Sequence, residues 1–242
     1  MPILENHLLS KEIAKACKNE NCLVHKYQKL LLNNLESDRT LLKTKKGQQF
    51  IIEGAPVNGL FFIKKGIVKV FRTGINGKEQ IVRFANDCEI IGHRGFGTQE
   101  YYSIGATTLK DTELYYFSKE YLQKLLLDNP SFSYDMMLFY ANELNRSESK
   151  VKSISQMTVR ERVIDTLLYI NRKFGELKGY LNLPLSRKEY ADYAGTTEEQ
   201  VIRIFSLLKK EGLITAKGKK IGITNLQNLK NEISEHNFYL DS

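Results

Sequence analysis

The sequence is poor in the residues and motifs that several protein classes require. Only three cysteines stand among its 242 residues, too few and too odd a number for a disulfide scaffold. We therefore expect a reducing compartment and predict a cytoplasmic protein. No apolar run approaches the roughly 18 residues of a membrane helix. The first twenty residues carry too many charges for a signal peptide.

Catalytic signatures are missing as well. The four histidines (His7, His25, His93 and His236) are dispersed along the chain. There is no P-loop, nucleophile elbow, H-E-x-x-H motif or dinucleotide glycine fingerprint. A catalytic site needs a cluster of titratable residues. Because the sequence offers no such cluster, we predict that the protein is not an enzyme.

The charge that is present is basic and unevenly placed. The formal net charge is +8. Residues 157–229 hold 13 basic and 8 acidic side chains, so +5 of that charge lies in less than a third of the chain. Such a region favours a polyanionic partner.

Residues 185–224 hold the densest set of local signals. Ser186 and Glu189 have the spacing of a capping box, which predicts a helix start. Ala191 places a small residue at a helix crossing, and Gly195, four residues later, marks a turn. In the helix that follows, apolar residues recur with helical spacing and form one buried face. They are Val201, Ile204, Phe205 and Leu208.

Threonine and glycine delimit this second helix. Thr196 with Glu199, and Thr197 with Gln200, both fit the spacing of an N-terminal cap, and the choice stays open. Gly212 occupies the place of a C-terminal glycine. Two short strands then flank a cationic tip. They are Leu213–Ala216 and Lys220–Ile223, around Lys217, Gly218 and Lys219.

This succession predicts a winged helix-turn-helix. A plain helical hairpin with a solvated face would explain the charges, but not the order of capping box, turn glycine, amphipathic helix and basic hairpin. The second helix would then read DNA with the face opposite to its buried one. That face carries Glu198, Glu199, Ile202, Arg203 and Ser206.

From Leu41 to Phe117, glycines punctuate short β-rich runs. Strands at this spacing indicate a β-sandwich or barrel, and we predict a jelly-roll-like sensory domain. Gly74 to Lys78 is a predicted hairpin loop, because Asn-Gly tolerates positive φ. The predicted strands are Gln49–Ile52, Leu60–Lys64, Ile67–Arg72, Glu79–Phe84 and Leu114–Phe117.

A long helix is predicted from Ser131 to Ser155, with an apolar stripe of three-and-four spacing. The stripe fits a coiled-coil dimer seam or a helix lying on its own sandwich. We favour the dimer, because helix-turn-helix proteins commonly read two half-sites by two-fold symmetry. The predicted seam is Met137, Tyr140, Leu144, Ser147, Val151 and Ile154.

Shorter helical patterns surround these elements. An arm at 1–23 and a helix within Tyr27–Leu42 are expected before the first strand. Ser118–Asn129 and Val159–Phe174 are predicted helices, and strand character occurs around Tyr180–Leu183. The predicted division is 1–130, arm and sensor; 131–156, dimerisation helix; 157–229, DNA-binding domain; and 230–242, flexible tail.

This α+β order resembles the cyclic-AMP receptor and fumarate-nitrate-reductase regulator (CRP/FNR) family. The resemblance covers about residues 25–225 and is strongest in the helix-turn-helix and in LFFIKKGIVKVF, NGKEQIVRF and EIIGHRGF. It implies a double-stranded β-helix (a cyclic-nucleotide-binding-like jelly roll) that senses a signal. It also implies a homodimeric transcription factor at a palindromic operator in double-stranded DNA, with RNA polymerase as a further partner. A ligand-binding or scaffold protein that has kept the fold is the alternative.

Members of the family carry a Glu and an Arg four residues apart on the recognition helix, matched here by Glu199 and Arg203. Arginine donates two hydrogen bonds to guanine, and glutamate accepts one from cytosine N4. Glu198 and Ile202 depart from two subgroups, so the operator is expected to differ from theirs. Ile202 suits a thymine methyl, and Glu198 a first-turn partner of the helix dipole.

Other side chains are placed to hold phosphates, which position a protein without reading sequence. They are Ser186, Arg187, Lys188, Thr196, Lys217, Lys219 and Lys220. Thr197 and Ser206 complete the predicted DNA-binding set.

Cyclic-nucleotide binders of the family carry a Gly-Glu pair for the ribose and an Arg-Ser pair for the phosphate. Here His93 follows Gly92, and Tyr102 precedes Ser103, so the cation that would pair the phosphate is missing. We expect another effector or none, rather than cyclic AMP. For His93, a half-exposed loop position is the alternative. The predicted lining is Gly92, His93, Arg94, Tyr101, Tyr102, Ser103 and Ala106.

An iron–sulfur cluster, the other sensing chemistry of the family, needs about four thiolates. Cys17, Cys22, Cys88 and His25 make only a loose set. We expect no cluster and no metal, with Cys88 in a turn and Cys17 and Cys22 on a helix.

Overall fold

The computed structural model describes residues 22–27, 30–31, 39–97 and 100–236. The chain divides into two compact units, 1–141 and 142–242. Most of the predicted arm lies outside the described residues. None of the helices described is both long and apolar enough to cross a membrane.

Two four-stranded antiparallel sheets build the first unit. Their strands are β1 Arg39–Thr44, β2 Gln49–Ile51, β3 Gly59–Lys65, β4 Ile67–Thr73, β5 Glu79–Asn86, β6 Ile90–Ile91, β7 Gly105–Thr108 and β8 Thr112–Ser118. One sheet has the order β1-β8-β3-β6 and the other β2-β7-β4-β5. Eight strands in two sheets make the predicted jelly roll, called the β-roll from here on.

Strand β3 is buried on both faces, which explains its unbroken apolar run. Phe61 and Ile63 belong to the core between the two sheets. Leu60 and Phe62 belong to a second core on the outer side of β3, where helices cover the sheet. A strand that buries both faces does not alternate polar and apolar residues.

The five predicted strands are present, with ends shifted by one or two residues. Strands β1, β6 and β7 were not predicted. The helix expected within Tyr27–Leu42 is wrong at its C-terminal end, because Arg39–Thr44 pairs with β8 along its whole length. A short helix, α1 Leu23–Lys26, precedes it, and Leu30 and Leu31 are helical as well. The Asn-Gly hairpin is confirmed, with φ of 60° at Asn76 and 71° at Gly77.

Three helices follow the β-roll. They are α2 Lys119–Asp128, α3 Pro130–Gln156 and α4 Val159–Phe174. The Ser118 hydroxyl caps α2 by accepting from Tyr121 N at 3.2 Å. A capping box of Thr158 and Glu161 starts α4. The boundary between the two units falls inside α3, after Ala141.

The rest of the second unit is small and mixed. Its elements are β9 Glu176–Leu177, β10 Tyr180–Leu181, α5 Arg187–Ala194, α6 Glu198–Lys210, β11 Ile214–Lys217, β12 Lys220–Ile223 and α7 Leu226–Glu232. The α4 residues predicted to be apolar and inward are buried. They are Val163, Ile164, Leu167, Leu168 and Ile170.

The predicted flexible tail is wrong as far as His236. Lys230 to Glu232 complete α7, and Ile233 is 2% exposed. The Arg160 guanidinium bridges Glu211 at 2.6 Å and Glu232 at 2.8 Å. These contacts join distant segments, so polar composition alone could not indicate them. Residues 237–242 lie outside the described part.

Candidate nucleic-acid interface

Helix α5 and its turn are set by local hydrogen bonds. The Ser186 hydroxyl accepts from Glu189 N at 3.2 Å, and the Glu189 carboxylate accepts from Ser186 N at 2.7 Å. At the other end, Gly195 adopts left-handed φ and ψ of 66° and 48°, and its N–H bonds to the Ala191 carbonyl. Glycine takes this conformation at little steric cost, so the chain can reverse into α6.

Thr197, rather than Thr196, caps α6. The Thr197 hydroxyl accepts from Gln200 N at 3.4 Å. Thr196 is only 8% exposed, and that burial argues against its predicted contact with a DNA phosphate. The four apolar residues of α6 predicted to face inward are all buried. They are Val201, Ile204, Phe205 and Leu208.

The opposite face of α6 is open to solvent. Its exposed residues are Glu198, Glu199, Ile202, Arg203 and Ser206. Ile202 is 49% exposed, so an apolar side chain stands among charged ones. The Arg203 guanidinium donates an N–H to the Gln200 side-chain oxygen at 2.8 Å. The sequence analysis missed Gln200 as a partner, although its spacing of three residues could have indicated it.

Glu199 occupies the first turn of α6 as a charged cap. Hydrogen bonds from its own backbone N–H and from the Thr197 hydroxyl lower the pKa of its carboxyl. A carboxylate here also meets the positive end of the helix dipole. Glu198, for which we predicted such a place, lies in the same first turn.

The wing is a tight hairpin with a cationic tip. Lys217 pairs with Lys220 across β11 and β12, and Gly218 turns the chain with φ of 59°. Lys217, Lys219 and Lys220 are exposed, as is Lys188 on α5. These ammonium groups can therefore meet a polyanion.

Arg187 joins three parts of the domain instead of projecting into solvent. Its guanidinium donates to the Gly218 carbonyl at 3.2 Å and lies 4.6 Å from the Phe205 ring centroid. Burial lowers the pKa of Arg187. The residue thus links α5 to α6 and to the wing, a role that the sequence analysis did not assign.

A second arginine holds the turn of the helix-turn-helix. Arg162 donates to the carbonyls of Ala194 at 2.8 Å and Gly195 at 3.3 Å. It also donates to the Met157 carbonyl at 2.7 Å. One side chain thereby fixes the connection between α3 and α4 to the turn before α6.

Comparison with known proteins agrees with this geometry. The profile of the cyclic nucleotide-binding domain matches residues 41–129, and that of the Crp-like helix-turn-helix domain matches 161–232. Transcriptional activator protein FnrA of Stutzerimonas stutzeri is 28% identical over 182 residues, 74% of each chain. Transcriptional activator protein anr of Pseudomonas aeruginosa is 29% identical over 183 residues, again 74% of each. The solved structure of FixK2 from Bradyrhizobium japonicum superposes with a TM-score of 0.71 at 25% identity, covering 80% of this chain and 96% of that one. The chain belongs to the CRP/FNR family. It is a DNA-binding transcription regulator.

The β-roll of this CRP/FNR regulator has a small cavity beside the Gly92–Arg94 turn. The cavity beside Gly92 measures about 10 Å³, room for about one water molecule. Its lining is Val70, Val82, Arg83, Ile91, Gly92, His93, Arg94 and Ile104.

Of the seven predicted lining residues, only Gly92, His93 and Arg94 reach this cavity. Tyr102 is buried, and its hydroxyl donates to the Gly59 carbonyl at 2.7 Å. Ala106 is fully buried in the core. Tyr101 is 54% exposed, and Ser103 is partly buried. The sequence analysis missed Arg83, whose guanidinium donates to the Ile90 carbonyl.

His93 is not the half-exposed loop residue considered as an alternative, because its side chain is 3% exposed. Its ring meets Phe139 edge-on at 4.8 Å and Tyr140 at 5.8 Å between centroids. The Tyr140 hydroxyl donates to the His93 carbonyl at 2.7 Å. His93 therefore packs the turn at Gly92–Arg94 against the first part of α3.

Helix α3 of the regulator exposes four of the six residues predicted for the dimer seam. Met137, Leu144, Val151 and Ile154 are 57%, 60%, 67% and 45% exposed. Tyr140 is partly buried, and the Ser147 hydroxyl donates to its own helix at the Glu143 carbonyl.

The candidate cluster ligands are only partly described. Cys22 and Cys88 lie close together, with Cys22 Sγ donating to the Cys88 carbonyl at 3.2 Å. Among the described residues, no three His, Cys, Asp or Glu side chains group as a metal site. Cys17 and the His25 side chain fall outside that description. The residues that are described do not by themselves fit a cluster of four thiolates.

Proposed function

We propose that this regulator binds a palindromic operator as a homodimer, with α6 in the major groove and without cyclic AMP. The observation that carries the proposal is the division of α6 into a buried apolar face and an exposed face that presents Glu199 and Arg203. A helix-turn-helix reads DNA with such a face, and two half-sites lie about one helical turn apart.

Arg203 is the proposed reader of guanine, because its guanidinium can donate to O6 and N7 together. Glu199 would accept from cytosine N4 after leaving its capping position. Ile202 would contact a thymine methyl. Exposed lysines of the wing tip and of α5 would hold phosphates and give salt-dependent affinity without sequence preference.

The apolar stripe on α3 supports the dimer. Leu144 and Val151, two turns apart on the helix, are each exposed by more than half, and exposed apolar stripes are typical of association surfaces. RNA polymerase is a further proposed partner, since the relatives FnrA and anr are named transcriptional activators. We propose a cytoplasmic location and no catalytic activity.

The departures from the family's nucleotide-binding residues support the proposed independence from cyclic AMP. His93 stands at the position of the ribose-binding glutamate, and Tyr102 at that of the phosphate-binding arginine. An effector of the β-roll would have to displace the His93 contacts with α3, so we propose that the apo protein is already competent to bind DNA.

A selection of genomic fragments with purified protein and no added ligand tests the proposal. We expect an enriched palindrome whose half-sites are about one helical turn apart. Addition of cyclic AMP should leave the enrichment unchanged. An enriched motif that requires cyclic AMP would overturn the ligand-independent reading. Absence of any enriched motif under all conditions would favour the scaffold alternative.

A further inference from the structure

Two cysteines that are distant in the sequence are neighbours in the first unit. Cys22 Sγ donates to the Cys88 carbonyl at 3.2 Å across a separation of 66 residues. Both cysteines pack in the same apolar cluster, where Cys22 is 7% exposed and Cys88 is less buried. A disulfide needs Cα atoms about 4.4–6.8 Å apart, and contact between one thiol and the backbone of the other residue is compatible with that range.

The turn that carries Cys88 is fixed. Cys88 has φ of +69°, a left-handed conformation that is uncommon for a residue with a Cβ atom. Its N–H donates to the Ile63 carbonyl at 2.7 Å, and the neighbouring Asp87 carboxylate accepts from Gly66 N at 2.7 Å. The surrounding structure therefore holds the thiol in place despite an unfavourable backbone conformation.

The segment that carries Cys22 is anchored as well. The Tyr27 hydroxyl donates to Asp135 of α3 at 2.7 Å, and Lys26 pairs with the same carboxylate at 2.6 Å. The Tyr27 ring meets Phe132 edge-on at 5.0 Å. These contacts keep Cys22 beside Cys88, which raises the effective concentration of one thiol at the other.

We propose that Cys22 and Cys88 are a modification site that hydroperoxides convert into an intramolecular disulfide. The more exposed Cys88 thiolate attacks the peroxide, so that an S–O bond forms, the O–O bond breaks and an alcohol or water leaves. The Cys22 thiol then attacks the sulfenic acid, forming the S–S bond and releasing water. In sum, two thiols are oxidised and one hydroperoxide is reduced.

The disulfide would add a covalent bond between two segments that now meet only through non-covalent contacts. It would link the segment bound to Asp135 of α3 to the turn between β5 and β6. That turn leads directly into Gly92 and His93. The proposal does not depend on DNA binding, because the thiols lie outside the helix-turn-helix.

The test treats the purified full chain with hydrogen peroxide, alkylates the remaining thiols and maps cross-linked peptides by mass spectrometry. We expect a Cys22–Cys88 cross-link within one chain that dithiothreitol reverses. It should persist in Cys17→Ser and disappear in Cys22→Ser and in Cys88→Ser. Circular dichroism of each variant checks that the fold is kept.

Wild-type protein alone can also decide the question. Thermal unfolding of the oxidised chain should start at a higher temperature than that of the reduced chain, because the link closes a long loop. Three results would each overturn the proposal. They are cross-links that are all intermolecular, cross-links that all involve Cys17, and sulfinic acid at Cys88 with Cys22 unmodified. Anaerobic reconstitution with iron and sulfide tests the competing hypothesis, in which the cysteines bind an iron–sulfur cluster. A cluster absorption lost in Cys88→Ser would show that these thiols are metal ligands instead.

Discussion

Arg203 and Gln200 are joined on the solvent side of α6, where the guanidinium donates to the amide oxygen at 2.8 Å. The two residues are three positions apart, so they are neighbours on the helix surface. The contact orients the proposed guanine reader before DNA arrives. Less side-chain freedom is then lost on binding.

Arg203→Ala should remove sequence discrimination while leaving the fold intact. We expect affinity for the selected operator to fall by about 1–3 kcal/mol per half-site, the contribution of one bidentate base contact. Affinity for unrelated DNA should change little. Competition binding against random DNA measures both. Lys219→Ala is the matched control, expected to weaken both affinities alike and to lower the salt dependence. Discrimination that survives Arg203→Ala would refute the recognition-helix assignment.

Gln200 and Arg203 should be energetically coupled in operator binding. Gln200→Ala alone is expected to weaken specific binding less than Arg203→Ala. The arginine can still reach the base, although its side chain is less ordered before DNA binds. In the double variant the two losses should not add, and a double-mutant cycle should show a coupling of at least about 0.5 kcal/mol. Strict additivity would mean that the hydrogen bond plays no part on DNA.

Local signals predicted the helix-turn-helix well. The Ser186–Glu189 capping box and the glycine turn at Gly195 depend on residues within one helical turn of each other, so the sequence alone contains them. The choice between Thr196 and Thr197 was different. Both have the required spacing, and only packing, which buries Thr196, decides between them.

Features made by distant residues were not predictable in this way. Strand β1 exists because Arg39–Thr44 pairs with β8, about seventy residues later. The burial of His93 depends on Phe139, and the meeting of Cys22 with Cys88 depends on the fold of the whole β-roll. No local periodicity or cap encodes such contacts, so the pocket was predicted less well than the recognition helix.

Leu144→Glu should dissociate the dimer. A carboxylate in the proposed seam would be buried against its symmetry mate, and burying an unpaired charge costs several kcal/mol. Sedimentation should show a monomer, and operator affinity should fall because each half-site would be bound separately. Leu127→Glu is the control, since Leu127 is 83% exposed on α2 and lies off the stripe. A dimer that persists in Leu144→Glu would place the interface elsewhere.

Lys150 should make the stability of the second unit depend on pH. Its ammonium lies 3.9 Å from the centroid of Tyr193, which stacks on Tyr169 at 5.0 Å. Burial lowers the pKa of Lys150 to about 8, against the opposing charge of Asp165. Between pH 8 and about 10.4, the ordinary lysine pKa, the unfolded chain binds a proton that the folded chain has lost. The free energy of unfolding should therefore rise with pH in this window, by at most about 1.4 kcal/mol per pH unit.

Lys150→Met tests this dependence, because methionine keeps the length of the side chain and removes the titrating group. Urea unfolding followed by circular dichroism at pH 7, 8, 9 and 10 gives the free energy of unfolding of each protein. Relative to the variant, the wild type should gain stability as pH rises through this window. Lys210→Met, at an exposed position of α6, should track the wild type at every pH. Tyr193 is common to all three proteins, so its own titration at high pH cancels in the comparison. A difference between wild type and Lys150→Met that stays constant from pH 7 to 10 would show that Lys150 does not titrate in this range.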